Sequence, residues 1–270
     1  MQDTIRLKLL GVRGTVPVHG EQFRQFGGAT SCAFLQAGDE AFILDAGTGL
    51  LTQPVGSFFP DRHHFTMLLS HAHVDHLMGL PMFSPLFDSE GCCDIYLKTR
   101  NGLSAQQQVE QLIAPPLWPI RTNAFKGKIR FHDVLPTFRV GEVQVDTMDS
   151  IHPGGSTIYR ISCGDKSVVY ATDFEPADDN PEAFCEFARG CSLLLLDAQY
   201  TDEEYLRVKG FGHSTISRSI AIARRCGAER TLLIHHDPNR TDSQLLEFEQ
   251  AARQEYPGIS FGRAGEEICL

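Results

Sequence analysis

A chain of 270 residues with 42% hydrophobic side chains can bury a full core without disulfide or metal staples, and its formal net charge of −10 repels a long polyanion unless a local basic surface offsets it. The start MQDTIRLKLL lacks a signal-peptide apolar region and the late apolar run Leu193 to Leu196 is far too short to cross a bilayer, so a cytoplasmic protein without membrane contact is expected. The eight cysteines lie scattered without a CxxC pair, which predicts buried free thiols over a disulfide framework. In chain order, IRLKLLG, CAFLQ and AFILDAG read as the first strands, the last ending in a turn that opens a short helix. Phe65 to Ser70 (FTMLLS) reads as a buried strand and LMGLPMF as an apolar helix start. From residue 81 to 136 the pattern is irregular: DIYLK suggests a strand, LSAQQQVEQLI a helix and PPLWPI a loop stiffened by prolines. VQVDTMDSIH, STIYRISC and SVVYATDF return to strand spacing, and helix then alternates with strand through PEAFCEFARG, LLLLD, STISRSIAIARR, TLLIHH and DSQLLEFEQAARQEY. The last helix puts Leu245, Phe248 and Ala252 on one face, the pattern of a helix covering a sheet.

The chemistry is concentrated in SHAHVDH and three residues downstream. His71, His73, Asp75 and His76, with His152, Asp173 and His235, have the side chains and spacing of a two-metal hydrolase. Imidazole and carboxylate donors without a thiolate suit two divalent ions, zinc first, with manganese or iron as alternatives. His71 and His73 leave a strand end two residues apart, so extended backbone points both to one side for one ion; Asp75 and His76 follow as the chain turns and suit a second. His152, Asp173 and His235 each fall at or just past a predicted strand end, where they can complete both sets of ligands. Asp173 has two oxygens and can bridge cations about 3.5 to 4 Å apart.

GVRGTVP, FGGATSC, LDAGTG, HAHVDH, YATDFEP, LDAQYT, GFGHST and LLIHHDPNRTD together resemble the metallo-β-lactamase superfamily, and within it the branch of cyclic-nucleotide phosphodiesterases, ribonuclease Z and phosphonate-pathway phosphodiesterases. The resemblance runs from about Leu7 to His235. It implies an α/β fold, a four-layer αββα sandwich of two mixed sheets with flanking helices. Because the ligands span residues 71 to 235, a single domain over 1–270 is expected, with a variable insertion at about 81–136 over the site. The resemblance pairs a His of the GHST kind, here His213, with an acid at the preceding strand end, here Asp197. It makes His213, Asp197 and Asp75 the candidate catalytic residues, with attack by a hydroxide held between two ions and His213 assisting the departing alkoxide. Homodimers are common in this branch.

Competing readings accompany several residues. His235 and His236 compete for one ligand position, because strand alternation lets only one face the metals; the resemblance favours His235. Asp75 could cap a helix, and Asp45 is read as an anchor below His71 and not as a ligand. Ser214 or Thr215 could cap a helix with His213 as mere loop. FGGATSC and HPGGST could approach a phosphate or form tight turns, and RTNAFKGKIR could supply positive charge or simply face solvent. With no long basic arm, a small phosphodiester such as a cyclic nucleotide is favoured over long nucleic acid. The alternatives are a ribonuclease Z-like nuclease, a thioesterase or lactonase of the same superfamily, and a non-catalytic metal-binding module.

Overall fold

The computed structural model describes residues 4–177 and 181–270. The chain first lays down β1 (Ile5–Gly11), β2 (Cys32–Ala37), β3 (Glu40–Leu44) and β4 (His64–Leu68), then a single turn of helix, α1 (Val74–Leu77), followed by β5 (Cys92–Tyr96), α2 (Ala105–Val109) and β6 (Lys128–His132). A second series follows: β7 (Thr137–Val140), β8 (Val143–Ser150), β9 (Ser156–Cys163), β10 (Lys166–Ala171), α3 (Glu182–Phe187), β11 (Leu193–Asp197), α4 (Asp202–Val208), α5 (Ile216–Cys226), β12 (Arg230–Ile234), α6 (Asp242–Glu255) and β13 (Ile259–Phe261). The closing strand β14 (Glu267–Cys269) returns to pair with β1. Two seven-stranded mixed sheets result, in the orders β14-β1-β2-β3-β4-β5-β6 and β13-β12-β11-β10-β9-β8-β7.

Side-chain alternation explains how the sheets stack. On β1, Ile5, Leu7 and Leu9 are buried while Arg6 and Lys8 lie on the other face, and the inward set meets Leu35, Phe42, Leu44, Val145, Tyr159, Ile161, Leu195 and Leu232 in one core between the sheets. A second cluster under α1 and α2 contains Phe34, Phe58, Phe59, Phe65, Leu77 and Val109; a third, under α3, α5 and α6, contains Val169, Phe184, Leu194, Ile220, Ala223 and Leu245. Helix, sheet, sheet, helix is therefore the layer order. Leu193 to Leu196 are buried on both faces, as parallel neighbours on either side of β11 require.

Strand direction positions the functional edge. β3 and β4 run parallel, so their C-terminal ends lie together; β10, β11 and β12 are also parallel, and β8 runs their way because β9 is antiparallel to both β8 and β10. The seven candidate metal ligands all follow the C-terminal ends of these co-directed strands, and Asp197 closes β11 at the same edge.

Several elements differ from the sequence reading. The expected helix over LMGLPMF is only α1 plus short 3-10 turns at Leu80–Met82 and Ser84–Phe87, each with a proline in its first turn. α2 covers Ala105–Val109, half of the stretch predicted, started by a capping box of Ser104 and Gln107. Segment 81–136 supplies β5 and β6 to the first sheet, continuing its parallel run. Cys32, Cys93, Cys185, Cys191 and Cys226 are buried free thiols. No helix among the described residues is long and apolar enough to cross a membrane.

Candidate metal centre

Three strand-end residues adopt left-handed backbone although none is glycine: Asp45 (φ 56°), Asp173 (φ 51°) and His235 (φ 61°). Such a conformation costs about 1–3 kcal/mol per residue and persists where surrounding contacts hold it. Here it turns each chain sharply off its sheet.

The resulting side chains form two groups that share Asp173. In the first, His71, His73, His152 and Asp173 bring one donor atom each within 4.8 Å of one another. Asp173 Oδ1 stands 3.7 Å from His71 Nε2 and 3.6 Å from His152 Nε2, and His152 Nε2 is 3.1 Å from His73 Nδ1. In the second, Asp173 Oδ2 is 3.1 Å from His76 Nε2 and 3.3 Å from His235 Nε2, while Asp75 Oδ2 is 3.3 and 3.5 Å from the same two nitrogens. Donors around a tetrahedral ion with bonds of about 2.1 Å stand about 3.4 Å apart, so both groups have the spacing of a ligand set.

Hydrogen bonds fix which nitrogen faces inward. His76 Nδ1 donates to Asp45 Oδ2 at 2.7 Å, and Asp45 also accepts from Ser70 N (2.7 Å), Ser70 Oγ (2.9 Å) and Tyr170 Oη (2.8 Å). His71 Nδ1 donates to Ser70 Oγ at 3.0 Å, His152 Nδ1 to Gly212 O at 3.1 Å and His235 Nδ1 to Gln199 Oε1 at 3.2 Å. This leaves the Nε2 atoms of His71, His76 and His235 buried and without a hydrogen bond among the described residues. A buried imidazole nitrogen aimed at carboxylates and other imidazoles, with its far nitrogen anchored, is what a divalent cation needs. The residues present fit two such ions.

The electrostatics differ between the groups. Burial, reinforced by the neighbouring His76, pushes His71 well below its ordinary pKa, and burial brings His152 down to about 4. For His235, burial alone would lower the value, but Asp173, Asp75 and Asp197 raise it to about 9; His76 is likewise raised against burial by Asp173, Asp75 and Asp45. Burial would raise Asp173, but His235 and His76 hold it well below the carboxylate range.

His213, 8% exposed, donates from Nδ1 to Asp197 Oδ2 at 2.9 Å and stacks on His235 with ring centres 4.9 Å apart. Thr215 caps α5, as the local reading of GHST expects, while the neighbouring His213 is held by Asp197 and is not mere loop. His236 turns away from the centre, bonding Gly262 O at 2.9 Å beside Phe26 and Phe261. Asp75 is not a helix cap, since His73 holds the N-cap position of α1; its Oδ2 accepts from Thr15 N at 2.8 Å. Sequence reasoning missed Thr15, Gln199 and Gly212 as supports of the centre, although each lies inside a quoted motif. RTNAFKGKIR is partly consumed in the fold: Arg130 pairs with Asp94 through two 2.6 Å contacts, occupying the place a cation would take between His64, Cys92 and Asp94.

Beside the first group lies a cavity of about 190 Å³, walled by His71, His73, Arg100, Gln111 and the Pro153–Gly155 turn. Gly154 and Gly155 of HPGGST both have φ +82°, forming the turn between β8 and β9 as well as this wall.

The chain is 23% identical to ribonuclease Z of Haloferax volcanii, over 96% of this chain and 92% of that one, and 25% identical to the probable metallo-hydrolase YhfI of Bacillus subtilis, over 90% and 93%. The crystal structure of YhfI superposes with a TM-score of 0.75 at 19% identity, covering 100% of both chains, and a diphosphatase of the PhnP family with a TM-score of 0.70 at 19% identity, covering 99% and 97%. Residues 41–236, which contain every side chain of the two groups, match the family described as the beta-lactamase superfamily domain. With that match over most of its length and a two-sheet sandwich to carry it, the chain belongs to the beta-lactamase superfamily.

Proposed function

We propose that this metal-dependent hydrolase cleaves a small phosphodiester, such as a cyclic nucleotide, at a two-ion centre. One observation carries the reading: Asp173 presents one oxygen to His71 and His152 and the other to His76 and His235. His71, His73 and His152 would hold one ion, Asp75, His76 and His235 the other, and zinc suits the donors best. When bound, two divalent ions supply Lewis acidity toward the phosphoryl oxygens and an activated water.

The chain supplies the rest. Asp197 fixes the His213 ring through Nδ1, so that in the doubly protonated ring the Nε2 proton is the one passed to the leaving oxygen. His213 also lies edge-on to His152, with ring centres 5.2 Å apart, so it borders both groups. The adjoining cavity of about 190 Å³ is below the roughly 300–1,000 Å³ of drug-sized pockets and suits one small substituent of a diester. The net charge of −10 opposes capture of a long polyanion.

A ribonuclease Z-like nuclease is the second reading, supported by the full-length similarity to the Haloferax enzyme. Elemental analysis followed by a rate panel of cyclic nucleotides, linear diesters and a tRNA precursor separates the two. Turnover of the small diesters with an inert precursor is expected; the reverse pattern replaces our reading with the nuclease, and hydrolysis of thioesters or lactones alone removes both. His213→Ala should lower kcat by about 10²–10⁴-fold on a diester with a poor leaving group, and far less on a nitrophenyl diester that needs no proton. Equal losses on both would refute the acid role.

A further inference from the structure

Glu175 lies two residues beyond Asp173, is 5% exposed, and has no cationic partner among the described residues. A buried carboxylate without a counter-charge needs several neutral donors. Here they converge from one stretch of chain: the Tyr205 hydroxyl, Gly210 N–H at 2.9 and 3.1 Å to the two oxygens, and Gly212 N–H at 2.9 Å. Gly210 and Gly212 have φ +89° and +90°, which turns their N–H groups inward as a cradle for an anion. Tyr205 is pushed up to about 12, first by burial and then by Glu175, so it remains a donor at neutral pH.

The cradle leads directly to the centre. Gly212 accepts from His152 Nδ1 through its carbonyl, and a Cβ at Gly212 would lie 2.1 Å from that nitrogen. The next residue is His213, bonded to Asp197. At its other end the Glu175 N–H bonds Ile151 O at 3.3 Å, immediately before His152. The Glu175 side chain thus holds the turn that leads into His213, while its backbone N–H meets the segment just before His152.

We propose that Glu175 is a positioning residue, whose carboxylate sets the 210–213 turn and thereby the placement of His213 beside the metal ligands. Its effect on turnover rests on the phosphodiesterase reading above; its effect on the turn does not. In Glu175→Gln, one of the two accepting oxygens becomes an amide that confronts N–H donors. The expected result is a fall in kcat of about 10- to 100-fold on a poor-leaving-group diester, with KM nearly unchanged and a smaller loss on a nitrophenyl diester. The double variant with His213→Ala should be no slower than His213→Ala alone, because Glu175 acts through that ring. Hydrogen exchange should accelerate at the amides of 210–213. Losses that multiply in the double variant, or an unchanged exchange pattern, would overturn the proposal. If the wild-type protein cleaves no phosphodiester, that reading fails by itself and the exchange comparison still decides the role of Glu175. Should Glu175→Gln not fold, Tyr205→Phe, which removes one donor and keeps the carboxylate, carries the same expectations.

Discussion

Burial and neighbouring carboxylates push the histidines of the centre in opposite directions. His76 and His235 are raised by carboxylates, His235 to about 9, so both are charged at pH 7 in the metal-free protein; His71, His73 and His152 are lowered and neutral. A ligand must release its proton to bind, so filling the Asp75–His76–His235 group should expel about two protons at pH 7, and filling the other group almost none. Affinity in the first case should fall as pH drops from about 9, while the second stays flat near neutrality. Calorimetric titration in two buffers of different ionisation heat checks this; equal proton release from both groups would contradict it. At this scale HAHVDH was legible because four donors fall within six residues, a density that core packing does not call for. Glu175, Gln199 and Thr15 were not, because a support acts through a backbone amide or a neighbour's far nitrogen, and no spacing rule encodes that.

Among elements, the buried strands were readable and the edges were not. FTMLLS and LLLLD announce themselves by apolar runs, whereas β7 alternates exposed and half-buried residues (TFRV), and β13 and β14 are three residues each. α4 was missed because DEEYLRV buries only Tyr205; its start is set by the Thr201–Glu204 capping box. The loop after β1 illustrates how a motif glycine acquires meaning only in three dimensions. A Cβ at Gly14 would stand 2.5 Å from the His235 ring, while the Gly14 N–H bonds His236 O at 3.0 Å. Gly14→Ala should therefore displace His235 without unfolding the sheet, weakening one ion by about tenfold or more while the melting curve of the metal-free protein changes little. Elemental analysis after dialysis against buffered metal measures it; two fully retained ions would count against the contact.

For the whole molecule, the centre draws on both sheets. His71, His73, Asp75 and His76 follow β4 of the first, and His152, Asp173 and His235 follow β8, β10 and β12 of the second. An ion held at a hundredfold excess over its Kd adds about 2.7 kcal/mol to folding. Chelation should therefore lower the Tm by several degrees per ion, reversed on adding metal back. A Tm indifferent to chelator would deny that ions link the sheets. The αββα layering was readable from the resemblance, and the exchange of β14 back to the first sheet was not, since GEEIC carries no alternation long enough to show it.

Division of the donors between the halves also sets an order of events during synthesis. A chain emerging from the ribosome displays positions 71 to 76 while 152, 173 and 235 do not yet exist. Any cation met at that stage finds Asp75 and three histidines but not Asp173, the residue that faces both groups. On the two-ion reading proposed above, lasting capture would wait until Asp173 and then His235 have been made and swung into place, so a loaded centre would certify that the two halves have closed.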